Sequence, residues 1–395
     1  MIKHIKNAEL SGKKVLVRVD FNVPIKEGKI TDDSRIVAAM PTINRIIEQG
    51  GIPILMSHLG RPDGVVNPKY SLKPVAEYLK DNLHYKVNFS EDCIGETAKN
   101  TISNTKVGDV VLLENLRFYA QEEKNDLEFS KELASLADVY VNDAFGTAHR
   151  AHSSTYGVAT LFTERYSGYL IFSEIEHLGA CITNPIKPFT AIIGGAKISG
   201  KIDVIENLLQ KCDNILIGGG MTFTFLKAMG YEIGNSLLEA DKIELAKELI
   251  AKAKSMNVNL VLPTDVIVAD EFNNDSQSQT VSVENIPVGK IGMDIGEDTI
   301  QNYKSIILSS KTVLWNGPMG VFEMPNFAKG TFSIAEALAE TTSNGAKTII
   351  GGGDSVAAIK SMNFEDKVTF VSTGGGASLE YLEGKELPGI KILEM

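Results

Sequence analysis

Side chains able to bind a small anion follow the short apolar runs in the first half of the sequence. They lie in four segments: 20–24, 57–62, 114–117 and 142–152. If the apolar runs are parallel strands, their carboxyl ends share one edge of a sheet, where open α/β sheets bind ligands. The arginine, histidine, asparagine and aspartate residues there suit a small, multiply charged anion that also carries hydroxyl groups.

These residues also have structural interpretations. His58 alone is most simply a core or surface histidine, but Arg61 follows three residues later in the same loop. His149, Arg150 and His152 fit a solvated charge run, yet the Asn142-Asp143 pair that precedes them after a strand favours a binding role.

Glycine-rich turns follow the apolar runs of the second half, at 194–197, 218–220, 316–320, 351–355 and 374–376. Glycine lets a backbone approach a ligand closely, and a helix that starts there offers free amides to phosphate oxygens. One such turn is more often only a tight connection, but several in one domain, all after strands, favour phosphate binding. Asp354 either caps a helix or holds Mg²⁺ on a nucleotide. The halves therefore predict an acid-binding lobe and a nucleotide-binding lobe.

Other ligand motifs are incomplete. Residues 195–202 match a P-loop except at Ile202, where that motif needs a hydroxyl for magnesium, so a P-loop NTPase is disfavoured while lysines near phosphate remain expected. No G-x-G-x-x-G follows the first strand, which counts against an NAD-dependent dehydrogenase, and there is no Cys/His metal constellation.

The net charge of the protein limits the kinds of partner that it is expected to bind. A net charge of −11 repels polyanions, so we expect no nucleic-acid partner and look for a local cationic cluster. All seven arginines lie within the first 165 residues, and a planar guanidinium suits bidentate binding of phosphate or carboxylate. For Arg18, Arg45 and Arg165 we instead accept chance placement and surface ion pairs.

The elements that position these residues follow from hydrophobic patterning. With 395 residues the chain is too long for one core, so two domains are expected. Apolar runs alternate with helical-period segments throughout, which predicts two doubly wound parallel sheets. The predicted strands are 15–19, 52–56, 110–113, 139–141, 189–193, 214–217, 260–262, 312–315, 347–350 and 368–371. The predicted helices include 201–211, 239–256 and 332–341, and the polar stretch 271–279 is predicted to be a loop.

The sequence also predicts the cellular location of the protein and the boundary between its domains. No apolar run is long enough for a bilayer and no signal peptide precedes the first strand, so we expect no membrane partner and a cytoplasmic protein. Cys93, Cys181 and Cys212 are expected to be reduced. The boundary is placed at 166–188, where a helix over 168–182 gives way to two prolines.

Eight motifs occur in one order along the chain: 18–24, 57–62, 112–118, 142–153, 194–197, 314–323, 351–355 and 372–378. Together they resemble the phosphoglycerate kinase family. The resemblance implies two Rossmann-like domains joined by a helical hinge: 1–170 binding 3-phosphoglycerate, a linker over 171–188, and 189–378 binding nucleotide. Residues 379–395 would pack back on the first domain.

The resemblance also implies site residues. For 3-phosphoglycerate these are Asp20, Phe21, Asn22, Arg35, His58, Leu59, Gly60, Arg61, Arg117 and Arg150. For the nucleotide they are Lys201, Gly292, Glu323, Gly352, Gly353, Asp354 and Ser355, with Asp354 also serving Mg²⁺. Arg35, Lys197, Gly352 and Gly375 would act on the transferring group. Two positions depart from the family pattern: Gly200, where Asp is frequent, and Ser154, where Ala is common.

The implied reaction interconverts ATP and 3-phosphoglycerate with ADP and 1,3-bisphosphoglycerate, by direct in-line transfer after domain closure in a monomer. A carboxylate acceptor is already ionised at neutral pH and needs no general base, so the site must align two anions and neutralise charge. The alternatives are another acyl-phosphate kinase or P-loop NTPase acting on a different acid, and a non-catalytic nucleotide-binding protein on the same fold.

Overall fold

A computed structural model describes residues 2–394, which form two units. One unit runs to Glu176 and includes the stretch from Glu386 onward, and the other is His177–Lys385. Each contains a six-stranded sheet in which all neighbouring strands are parallel. The predicted α/β fold with two doubly wound parallel sheets is therefore confirmed.

The first unit has two sheets. Its strands are β1 (Lys14–Arg18), β2 (Ile25–Lys26), β3 (Lys29–Ile30), β4 (Ile52–Met56), β5 (Val87–Ser90), β6 (Val110–Leu113), β7 (Val139–Asn142) and β8 (Arg165–Ser167). Its helices are α1 (Ser34–Glu48), α2 (Lys73–Asp81), α3 (Gly95–Ser103), α4 (Ala120–Glu123), α5 (Leu127–Ala134) and the start of α6 (Tyr169–Thr183). The main sheet has the order β5-β6-β4-β1-β7-β8, while β2 and β3 form a separate antiparallel pair.

Strand β1 lies at the centre of this sheet. Its last residue, Arg18, is opposite Met56 at the end of β4 and Asn142 at the end of β7, so three polar loops begin at one edge. Side chains alternate between two apolar cores, with Val15 and Val17 on one face and Leu16 on the other. Burial on both faces explains why these strands are continuous apolar runs in the sequence.

The second unit also has two sheets. Its strands are β9 (Phe189–Ile193), β10 (Asn214–Ile217), β11 (Asn259–Val261), β12 (Asp265–Ala269), β13 (Ser278–Ser282), β14 (Ile291–Ile295), β15 (Thr312–Asn316), β16 (Lys347–Gly351) and β17 (Phe370–Val371). Its helices are α7 (Ile202–Leu209), α8 (Thr222–Ala228), α9 (Ile243–Ser255), α10 (Glu297–Ser309), α11 (Lys329–Ser343), α12 (Gly353–Ser361) and α13 (Gly376–Leu382). The parallel order is β11-β10-β9-β15-β16-β17, and β13-β12-β14 form a separate antiparallel sheet.

Some elements differ from the sequence prediction. The predicted loop at 271–279 ends inside β13, whose Ser-Gln-Thr-Val-Ser sequence is mostly exposed and carries little apolar signal. β5 and β8 at the sheet edges were not predicted, and neither was the pairing of β12 with β14. β5 and β8 have the mixed sequences Val-Asn-Phe-Ser and Arg-Tyr-Ser, which lack the continuous apolar run that identifies a central strand.

The chain passes between the units twice. The boundary at Glu176 lies within α6, which extends from Tyr169 to Thr183. The returning segment begins at Glu386, later than the predicted residue 379, because α13 belongs to the second unit, where Asn207 Nδ2 donates to Leu382 O at 2.6 Å. A last helix, α14 (Pro388–Lys391), follows. Asn142 Nδ2 donates to Gly389 O at 3.0 Å. The assignment of one ligand to each unit stays a prediction.

Two further features are the character of the helices and the state of the three cysteines. Among residues 2–394 no helix combines the length and the apolar character needed to cross a bilayer. Cys93, Cys181 and Cys212 are buried, with free thiols.

Candidate functional site

The first unit gathers four arginines around His58, here termed the basic cluster: Arg18, Arg35, His58, Arg117 and Arg150. Arg18 is the last residue of β1, and His58 follows the end of β4. Arg35 Nη1 lies 3.1 Å from Asp20 Oδ2, and His58 Nδ1 lies 3.9 Å from Asp20 Oδ1. Arg35 is in the first turn of α1, which buries Ile36, Ala39, Ile43 and Ile46 at helical spacing and so fixes the position of that turn. The cluster can neutralise a multiply charged anion.

Hydrogen bonds between side chains and backbone groups join the loops that carry this cluster. Asn22 Oδ1 accepts from Gly60 N at 2.9 Å, while Asn22 O accepts from Arg35 Nη1 at 3.0 Å. Arg117 Nη1 donates to Gly60 O at 2.9 Å. Gly60 has φ +63°, and a Cβ there would lie 2.4 Å from the ring of Tyr70. Only glycine fits at this junction, so the loop conformation is set by the sequence.

Other predicted residues of this group have different surroundings. Phe21 and Leu59 are buried, and their backbone N–H groups donate to Ser57 Oγ at 2.9 Å and Asn115 Oδ1 at 3.2 Å. These two side chains therefore support the loops. Arg61 is exposed.

The charges of the cluster come from its arginines. Burial holds the pKa of His58 well below its usual value, and Arg18, Arg117, Arg35 and Arg150 lower it further. Burial, followed by the charges of Arg117 and Arg150, lowers the pKa of His152 to about 4. Both rings are neutral near pH 7, so they can offer hydrogen bonds without adding charge.

Arg18 corrects the sequence interpretation. We assigned it to chance and surface ion pairs, but it is 1% exposed and donates to Ser154 Oγ at 2.8 Å. A guanidinium so deeply buried requires hydrogen-bond partners. The hydrophobic pattern could not show that Arg18 is buried. Arg18 is the last residue of β1, and the residues just before it in the strand are equally buried but apolar.

The second unit contains a cavity of about 490 Å³. Of the predicted nucleotide residues, Gly292, Glu323 and Asp354 line it. Its walls are otherwise mostly apolar or glycine, and they include Gly195, Gly219, Gly220, Phe223, Leu237, Phe272, Pro318 and Met319. A flat, largely apolar ring system suits such walls.

Gly292 lies in β14, and a Cβ there would lie 1.8 Å from the ring of Phe223. This close packing makes the antiparallel sheet part of the cavity wall. Phe223, Leu237 and Phe272 were not among the predicted site residues. Phe223 packs against β14, in a sheet that the apolar pattern did not predict. An aromatic residue three positions after the 218–220 turn was the available signal for Phe223.

Glycine-rich turns begin two helices near the ends of β16 and β17. Gly352 has φ +83° and precedes α12, whose first turn holds Gly353 and Asp354. Gly375 has φ +53° and precedes α13. Ser355 is buried, and its Oγ accepts from Gly317 N at 2.5 Å, which ties α12 to the loop after β15. The exposed Asp354 carboxylate remains accessible at the edge of the cavity.

The two predicted lysines differ in environment. Lys197 is exposed, whereas Lys201 is half-buried and its Nζ donates to Asn316 Oδ1. Burial lowers the pKa of Lys201 to about 8, partly offset by Asp354 and Glu383. Asn316 was not among the predicted site residues. Its buried Nδ2 has no hydrogen-bond partner within the described residues, and a Cβ added at Gly352 would lie 3.4 Å from it.

Asp354 also bears on metal binding. No group of three or more His, Cys, Asp or Glu residues suited to a metal ion occurs among residues 2–394. An exposed carboxylate beside a helix start fits a Mg²⁺ ion that takes its other ligands from phosphate oxygens and water.

Comparison with known proteins gives consistent matches. A family model described as phosphoglycerate kinase matches residues 5–385. The phosphoglycerate kinase of Chloroherpeton thalassium is 56% identical over 391 residues, covering 99% of this chain and 98% of the relative. That of Clostridium novyi is 56% identical over 393 residues, with coverages of 99% and 98%.

Two solved structures are also similar. The phosphoglycerate kinase of Coxiella burnetii has a TM-score of 0.91 at 42% identity and covers 100% of this chain and 99% of its own. The enzyme of Pyrococcus horikoshii has a TM-score of 0.86 at 32% identity, with coverages of 99% and 98%.

We predict that affinity for metal-free ADP falls as the pH rises through about 8, the pKa of Lys201. Lys201 is charged below that pH and neutral above it, and an anion is held better by the charged form. The fall should approach about tenfold per pH unit. Isothermal titration calorimetry across this range measures it.

Lys201→Arg should remove this pH dependence, because arginine keeps its charge. Lys211→Arg, just beyond the end of α7, is the matched control and should behave as the wild type. Equal pH slopes for the wild type and Lys201→Arg would contradict the prediction.

Proposed function

The chain belongs to the phosphoglycerate kinase family, and we propose that its two units divide the ligands of the family's reaction between them. That reaction is the reversible transfer of a phosphoryl group between ATP and the carboxylate of 3-phosphoglycerate, a step of glycolysis. The observation that carries the proposal is the contrast between the basic cluster of the first unit and the glycine-lined, largely apolar cavity of the second.

In the first unit, 3-phosphoglycerate binds to the basic cluster. The arginines neutralise its phosphate, and Asp20 and Asn22 accept from its hydroxyl or orient the arginines that contact it. Asp20 already pairs with Arg35 at 3.1 Å, so that guanidinium is held in place before the acid arrives. A group oriented in advance loses less entropy on binding.

In the second unit, the base occupies the apolar cavity beside Gly292 and Phe223. The phosphates extend toward Gly352 and Gly353, where the free amides at the start of α12 and the charge of Lys201 offset their negative charge. Glu323, exposed at the cavity edge, is suited to accept from ribose hydroxyls.

Transfer is direct, from one ligand to the other, without a phosphoenzyme. Arg35 and Lys197 neutralise the charge that spreads over the transferring phosphoryl oxygens, and the amides at Gly352 and Gly375 add fixed dipoles. Since each unit supplies one ligand, reaction requires the two bound ligands to be brought in line, which we propose occurs by domain closure that also excludes water.

Asp354 would hold Mg²⁺ together with the nucleotide phosphates. When bound, the ion supplies further neutralisation of phosphate charge. The free thiols of the three buried cysteines fit a reducing cytoplasm, and the net charge of −11 disfavours nucleic acid as a partner. We propose a cytoplasmic monomer.

Arg35→Lys should fold normally but lose at least about tenfold in kcat, because a point charge replaces a planar fork that must reach the transferring group. Steady-state assays with saturating 3-phosphoglycerate and MgATP measure the loss. Arg45→Lys, in the same helix but bonded to Lys6 O at 2.7 Å, is the matched control and should retain turnover. Wild-type kcat in Arg35→Lys would remove Arg35 from the transfer step.

Asp354→Asn should raise the KM for MgATP by about tenfold and leave the KM for 3-phosphoglycerate unchanged, because only the metal nucleotide depends on this carboxylate. Asp298→Asn makes the same change in the first turn of α10 and controls for the helix dipole. If both KM values rose equally in Asp354→Asn, its carboxylate would instead be a structural cap.

A further inference from the structure

Arg18 is one of the largest fully buried side chains of the protein, and its contacts account for three of its nitrogens. Nε donates to Ser154 Oγ at 2.8 Å, Nη1 donates to Val19 O, and Nη2 lies 3.1 Å from His58 Nδ1. A guanidinium has only donors and stays protonated in proteins. Every partner of Arg18 must therefore accept.

Ser154 connects Arg18 to a buried carboxylate through hydrogen bonds. Its hydroxyl accepts from Arg18, so its own proton is free to donate, and it does so to Glu122 Oε1 at 2.5 Å. Ser154 N donates to the other oxygen, Glu122 Oε2, at 2.9 Å. Glu122 is 1% exposed. Arg18 thus stands between a buried carboxylate, reached through Ser154, and the ring of His58.

The contact with Arg18 determines which nitrogen of His58 carries a proton. Since Arg18 can only donate, Nδ1 must be the acceptor and carry none. Asp20 Oδ1 would draw a proton to Nδ1, but at 3.9 Å it is beyond hydrogen-bond distance, whereas Arg18 Nη2 is within it. The ring is 4% exposed and surrounded by arginines, so it is uncharged. The remaining proton lies on Nε2.

We propose that Arg18, held in place by Ser154 and Glu122, is a positioning residue that fixes His58 as the Nε2–H tautomer, so that the ring donates to the anion of the basic cluster. The substrate half of this inference rests on the proposed binding of 3-phosphoglycerate there. The opposite tautomer would turn a lone pair of Nε2 toward an anion and repel it. The position of Arg18 depends on the Ser154 hydroxyl. Ser154 is one of the two positions where this sequence departs from the family pattern.

The tautomer is measured directly by long-range ¹H–¹⁵N NMR of the full-length enzyme with labelled histidine. His58 is assigned by the resonances that disappear in His58→Gln. We expect the wild type to show a protonated Nε2 and an unprotonated Nδ1. A protonated Nδ1 in the wild type would overturn the proposal without any further variant.

Ser154→Ala tests the link. It should give a mixture of His58 tautomers and raise the KM for 3-phosphoglycerate by about tenfold, which equals about 1.4 kcal/mol, with the KM for MgATP unchanged. Ser153→Ala is the matched control, because this adjacent buried hydroxyl donates to Gln121 O at 3.0 Å, and within residues 2–394 its hydrogen bonds do not involve Arg18. It should leave both the tautomer and the KM as in the wild type.

The two readouts separate the positioning role from the substrate role. If Ser154→Ala and Ser153→Ala give the same tautomer spectrum, Arg18 and Ser154 do not set the ring, and the proposal fails. If the tautomer changes in Ser154→Ala but His58→Gln has the wild-type KM for 3-phosphoglycerate, the assignment of His58 to the acid site is wrong, and the substrate half of the proposal fails with it.

Discussion

Parallel pairing of β1 with β4 and β7 places the ends of three strands at one edge of the sheet, and the basic cluster depends on that alignment. Arg18 lies opposite Met56 and Asn142, so the loops that follow diverge from a common line. A slip of one residue in either pairing would move side chains from one apolar core to the other and take Arg18 out of line with Met56 and Asn142. The apolar cores on both faces therefore fix the site as firmly as they fix the sheet.

Burial then decides how the charges behave. In the first unit it keeps His58 and His152 neutral and leaves the positive charge to arginines, which do not lose it. In the second unit it lowers the pKa of Lys201 to about 8, so the charge of this side chain changes just above neutral pH. The same physical effect therefore makes one group of residues insensitive to pH and another sensitive.

Much of this architecture could be predicted from the sequence. β4, β6, β9 and β10 have the predicted bounds, because strands buried on both faces are continuous apolar runs. The positions of the polar and glycine-rich loops could also be predicted, since these loops come after such runs. The roles of individual site residues came from the family resemblance and stay predictions.

What the sequence could not provide depends on contacts between distant residues. Arg18 and Glu122 are far apart in the chain, and only the fold shows that Ser154 bridges them. Likewise, only the fold shows that Asn316 is a hydrogen-bond partner of Lys201. The cavity wall formed by Phe223 against Gly292 requires an antiparallel sheet whose outer strand β13 is mostly exposed and whose pairing the apolar runs do not indicate.

The central claim is that the acid binds to the first unit and the nucleotide to the second. Hydrogen–deuterium exchange with each ligand alone tests it most directly, because backbone amides report contact residue by residue. We predict that 3-phosphoglycerate slows exchange at residues 20–22 and 58–61, and that ADP slows exchange at residues 317–323 and 352–355. Equal protection of both sets of residues by either single ligand would contradict the account.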